Sequence, residues 1–301
     1  MGKVNNSAAK SKAQTSKLKT GKAKAVALKK TIVKKSAGGA AGKQVKAPKK
    51  PKPPPSAHSW EGSYLADDHE YGCVNRHISA YTPANPCSHR HQARLKALET
   101  PAKYTWPIDA DKQPDNDGEW DLTVDGNFET NARIPFYHEA HHVVANAELK
   151  AAVVDAGEGI EPKGRVPLIV RSGLMREGYN LNNQINMIIL PMVKYAATAL
   201  GLPLHRRTPI HFHHAVYSAY IKKELVKLFA WVKDAAADHK VPEYENTREA
   251  VELLSKRLHP QLIAAGEAMK AGTMAGEALE DIPHDFLSKG RPQNVLNGAP
   301  P

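Results

Sequence analysis

The chain has 301 residues, 42 Lys plus Arg against 31 Asp plus Glu, a formal charge of +11 and only 2 Cys. That length supports one or two domains with their own cores, and two cysteines exclude a scaffold built on a disulfide framework. The longest apolar run, Met187 to Val193, is interrupted by Pro191, far short of the roughly 20 residues of a membrane-spanning helix, so no membrane partner is expected.

The charge is unevenly distributed. Residues 1–55 hold 16 Lys and no acidic residue, which leaves −5 for the rest of the chain. A segment of Lys, Ala, Ser, Thr and Gly cannot bury enough surface to offset the entropy of ordering it. Residues 1–57 are therefore expected to be a disordered basic tail, closed by the stiff spacer Lys49 to Pro55 (KKPKPPP). The stretch Ala23 to Leu28, interrupted by Lys24, is too short for a secretory signal peptide. Such a polycation binds nucleic acid or an anionic surface by counterion release, or serves as a solubilising tail or export handle.

Residues 58–118 are rich in His, Pro, Asn and Tyr, and read as an irregular lobe with one periodic run, Ala93 to Leu98. A core follows over 119–240. Trp120, Leu122 and Val124 alternate with polar residues, and Asp125-Gly126 then suits a type I′ turn before Phe128, which predicts a hairpin. A short strand is expected over Ala140 to Val144, then a helix from Asn146 with that residue as cap. Leu168 to Val170 and Ile185 to Leu190 read as buried strands. Thr208-Pro209 reads as the start of the strongest helix, continued by Ile221, Leu225, Leu228 and Val232. Asn246 with Glu249 predicts a capping box, and Pro260 a stop. Residues 241–301 are read as C-terminal helices with a frayed end.

Histidine is clustered. The run Tyr137-His138-Glu139-Ala140-His141-His142 contains H-E-x-x-H, in which His138 and His142 would bind zinc on one helical face with Glu139 as general base. Pro135, three residues before His138, leaves little room for that helix. The same run also reads as a strand presenting one histidine to a metal and its neighbour to a water, or as ordinary packed residues. Downstream stand His205-Arg206-Arg207 and His211-Phe212-His213-His214. His211 and His214 share a helical face, at the dipole end that keeps imidazoles neutral. Cys73, His77, Cys87 and His89 have the donor types of a structural zinc site. A Cys73–Cys87 disulfide or two unrelated thiols are the alternatives.

Taken in order, Glu139-Ala140-His141-His142-Val143-Val144, Gly178-Tyr179-Asn180-Leu181-Asn182 leading to Asn186 and Pro191, Gly201-Leu202-Pro203-Leu204-His205-Arg206, and His214-x-x-Tyr217 make a recognisable series. It resembles the bacterial toxin-type nucleases of the HNH/endonuclease VII superfamily that carry an Ala-His-His motif. The match covers about residues 138–225, with one departure: the paired downstream histidines, usually four apart, are separated here by an insertion.

That resemblance implies an α+β, mostly helical fold with a ββα-metal (His-Me finger) core around one divalent ion, Mg, Mn or Zn. It implies His141 as a metal ligand and His142 as general base, which requires a bent or bulged strand because strand neighbours point to opposite faces. Asn186 would fix the His142 ring or hold its loop. His205 is the further ligand on the family pattern, His211 and His214 on helix geometry. Arg206 and Arg207 would bind phosphate, or form a solvated surface pair. The implied function is an endonuclease, acting on DNA rather than RNA, used as an interbacterial toxin. It would be made in the bacterial cytoplasm and exported without a signal peptide into a target cell, with a secretion-machine component and an immunity protein as partners. The other function classes are the H-E-x-x-H zinc peptidase and a non-enzymatic basic nucleic-acid-binding protein.

Overall fold

The computed structural model describes residues 72–74, 81, 83, 85–113, 121–124, 126–129, 133–161, 164–207 and 214–290. The basic tail, His77, Trp120, Asp125, the Thr208-Pro209 start, His211 and the frayed end lie outside the described residues.

The molecule is α+β and mostly helical. Among the described residues its sheet has two antiparallel strands, β1 (His138–His142) and β2 (Met187–Pro191), paired from His138 with Pro191 to His142 with Met187 without a bulge. Every residue of β2 is buried, which explains its unbroken apolar run: both faces of the strand are covered. Ile188 and Leu190 join a core shared with the helices α2 (Asn146–Asp155), α3 (Val166–Arg176), α5 (Ala215–Ala237) and α6 (Tyr244–Lys270). Met187 and Ile189 face a second cluster with Ala93 and Ala97 of α1 (His89–Leu98), Tyr104, Leu122, Phe128 and Phe136.

Opposed residues of an antiparallel pair share a face, so the register sorts β1 as well. Glu139 and His141 stand opposite Leu190 and Ile188, whereas Ala140 and His142 stand opposite Ile189 and Met187.

Several local expectations change. The segment read as an irregular lobe contains α1, which packs on β2. Of the segment read as a hairpin, the described residues 122–124 and 126–128 lie in turns and bends, with Val124 N–H on Asp121 O and Asn127 N–H on Val124 O. Leu168 to Val170 is not a strand but part of α3, where Pro167 in the first turn and Val166, Ile169, Val170, Gly173 and Leu174 at helical spacing govern. Asn146 is the first residue of α2 and Ala145 its cap. The helix read from Pro209 begins, among described residues, at Ala215. Asn246 lies inside α6, and its side chain donates to Glu243, the cap residue. Pro260 does not stop that helix. It lacks the N–H that Lys256 O would accept, but both residues are exposed, so water can satisfy the carbonyl.

After β2 the chain enters α4 (Lys194–Leu200), which ends at Gly201 with φ 58, a left-handed conformation natural to glycine. This turn sends the chain back to the sheet. The His205 N–H bonds Pro191 O at 2.8 Å, and Leu204 pairs with Glu277 and Leu279 on its other side. A short helix, α7 (His284–Leu287), packs on α5 and α6.

Candidate metal centre

Three segments bring three imidazoles together. His141 projects from β1, His205 is anchored by its backbone to the end of β2, and His214 is the N-cap residue of α5. The His141 Nδ1 lies 2.9 Å from His205 Nε2, and His214 Nε2 lies 3.0 Å from that same atom. All three rings are buried, at 6%, 5% and 9% exposure. Tyr217, one turn into α5, packs its ring against His141 and donates its hydroxyl to Val143 O at 2.6 Å. Burial pushes that phenol up, so it stays a donor.

The donor set suits a cation. Imidazole nitrogen binds zinc-type ions at about 2.0–2.1 Å, which puts neighbouring ligand atoms roughly 3 Å apart. The three ligand atoms lie within 4.8 Å of one another, the one such group of three or more among the described residues. The insertion between His205 and His214 therefore does not separate them in space.

Glu139 occupies the same face as His141. Its Oε2 is 2.9 Å from His205 Nδ1 and accepts from an Arg206 nitrogen at 2.8 Å. Met192 Sδ is 3.3 Å from the same Nδ1. Arg207 pairs with Asp281 instead. Both arginines expected to bind phosphate thus rest on carboxylates, and of the two Arg206 stands beside the centre.

His142 points the other way. The regular register means the expected strand distortion is absent, and His142 turns to the α1 side. Its Nε2 is 2.9 Å from Asn182 Oδ1, and its ring stacks on His89 with centroids 6.1 Å apart. Asn186 does not fix this ring. It holds the loops: its amide donates to Val144 O and Leu181 O, while its oxygen accepts from Val144 N–H and the Ser255 hydroxyl.

The H-E-x-x-H arrangement is not formed, because its residues lie on a strand. Four residues of strand separate His138 from His142 by about 13 Å. His138 meets Phe136 O at 2.7 Å and packs on Phe128. Burial lowers its pKa to about 4.

The Cys73 and Cys87 thiols are buried and no disulfide joins them. Cys87 donates to Asn180 Oδ1 at 3.7 Å, and Asn182 Nδ2 lies 4.0 Å from Cys73 Sγ. The hydrogen bond with Cys73, then burial, pushes the Cys87 thiol up. His89 stacks on His142, and no zinc-binding group of three forms here among the described residues.

Two roles escape sequence reasoning. Asn182 lies in a quoted motif, but nothing marks its contact 40 positions away. The Glu139 contact with His205 has one trace, its i, i+2 spacing to His141 on a strand. No family model, curated protein or solved structure matches the chain.

Proposed function

We propose that the chain is a metal-dependent endonuclease that hydrolyses phosphodiester bonds, in DNA rather than RNA, with β1, β2 and α5 as a ββα-metal core. The carrying observation is the convergence of His141, His205 and His214. These histidines belong to three separate pieces of the motif series that resembles the Ala-His-His nucleases. Three nitrogen donors favour a zinc-type ion over Mg.

A divalent ion held there supplies a Lewis acid that stabilises charge on the phosphate and the leaving oxygen. The remaining work belongs to side chains. His142, whose Nε2 lies 2.9 Å from Asn182 Oδ1, is assigned as the base that takes a proton from water. In this reading the ion and the base stand on opposite faces of β1, so the substrate has to reach both around the end of that strand. Arg206, beside the centre with one nitrogen on Glu139, is assigned to a phosphate oxygen. In this reading the protein is a toxin delivered into a target bacterium, with an immunity protein as its partner.

The test is purified full-length protein incubated with plasmid and, separately, with casein, with and without chelator. Plasmid loss that chelator stops and added metal restores supports the proposal; chelator-insensitive plasmid loss, or casein loss, overturns it. His142→Ala should lower cleavage by about 10²–10⁴-fold while metal binding and folding persist. Unchanged cleavage in that variant refutes the base assignment.

A further inference from the structure

We propose that Glu139 is a positioning residue of the metal centre: it holds His205 in the tautomer whose Nε2 lone pair faces His141 and His214. The inference rests on the metal-centre reading above and assigns a residue that reading leaves unused.

The geometry separates two tasks at His205. Its backbone is located by the bond from its N–H to Pro191 O at 2.8 Å. That bond does not decide which ring nitrogen carries the proton. Glu139 Oε2 lies 2.9 Å from Nδ1, and an ionised carboxylate only accepts hydrogen bonds. The proton of neutral His205 therefore sits on Nδ1. Nε2, the atom 2.9 Å from His141 Nδ1 and 3.0 Å from His214 Nε2, then carries the lone pair.

The opposite tautomer would put an N–H where a cation needs an electron pair, and a nitrogen lone pair against the carboxylate. Met192 Sδ, 3.3 Å from Nδ1, is a weak acceptor and enforces the choice poorly. Glu139 is itself fixed, since Arg206 donates to the same Oε2 at 2.8 Å. Its place follows from the pleat: residues 139 and 141 share a face. One short strand thus supplies a ligand and the support for a second ligand from a distant segment. Carboxylates that orient metal-bound imidazoles in this way commonly contribute 10–100-fold in metal affinity.

The experiment titrates Zn2+ into the full-length chain, its Glu139→Ala and Glu139→Gln variants, using a competing chelating dye. In parallel, ring ¹⁵N shifts of His205 are read on the metal-free proteins, the resonance assigned by its loss in His205→Asn. Glu139→Ala should bind Zn2+ about 10–100-fold more weakly and lose the pure Nδ1–H signature. Glu139→Gln, whose carbonyl oxygen still accepts, should recover much of both. Zn2+ affinity within twofold of the unaltered chain in both variants overturns the inference, as does an unchanged His205 tautomer in Glu139→Ala. If Glu139→Ala does not fold, Glu139→Leu, which fills the space and cannot accept a hydrogen bond, takes its place in both measurements with the same expected and overturning results. Failure of the unaltered chain to bind Zn2+ overturns the metal centre itself, while the tautomer measurement still rules separately on the Glu139 contact.

Discussion

His141 and His142 are adjacent in sequence and have different neighbourhoods, because a regular strand turns successive side chains to opposite faces. One meets two imidazoles and the other an amide. The same principle applied to 138 and 139 separates a histidine packed on phenylalanines from a carboxylate beside His205. Burial also acts at this scale. His138 and His259 are both held neutral, each with its pKa lowered to about 4, mainly by desolvation. At His259, Lys96 adds to the lowering and Glu99 opposes it. The unfolded chain takes up these protons near pH 6.5, whereas the fold resists them until about pH 4. Stability should therefore be level above about pH 6.5 and fall as the pH drops towards 4, by about 3 kcal/mol for each histidine. Urea unfolding at pH 7 and pH 4.5 checks this. His259→Leu should flatten part of the fall, and an unaltered slope in that variant would refute the His259 share.

At the scale of elements, the legible parts of the sequence were those with a distinct period or a decisive neighbour. The apolar run marks β2, which spans Met187–Pro191 where Ile185 to Leu190 is expected, and β1 spans His138–His142 where Ala140 to Val144 is expected. Leu168 to Val170 misled because three apolar residues fit a buried strand and a buried helix equally well. The helix is set by Pro167 and the helical spacing, and Gly173 lets α3 approach the Tyr244 ring of α6: a Cβ there would overlap the ring. Gly173→Ala should thus cost about 1–3 kcal/mol by overpacking, read as a lower urea midpoint at unchanged m-value. A variant as stable as the parent would mean that the ring has room to move. Pro260 misled for the converse reason, since a proline on an exposed helix face loses a bond that water replaces. In the site, the histidines of the centre were legible by type and order. Asn182 and the Glu139 contact were not, because both depend on which face of the strand meets which later segment.

At the scale of the molecule, the 16 lysines of residues 1–55 and the −5 of the remainder imply a division of labour. If the centre carries the chemistry, removing residues 1–57 should leave chelator-sensitive plasmid cleavage intact while weakening nucleic-acid binding and flattening its salt dependence. Loss of cleavage at saturating substrate would instead make the tail part of the enzyme. The three histidines also have a mechanical meaning. They join positions 141, 205 and 214, so a bound ion ties together segments up to 73 residues apart along the chain. Such a ligature should make melting depend on free metal, by about 2.7 kcal/mol when the ion stands at 100 times its dissociation constant, so scanning calorimetry in graded Zn2+ would show a rising transition. A single ion would then govern two things at once, whether the centre works and how long the folded chain survives.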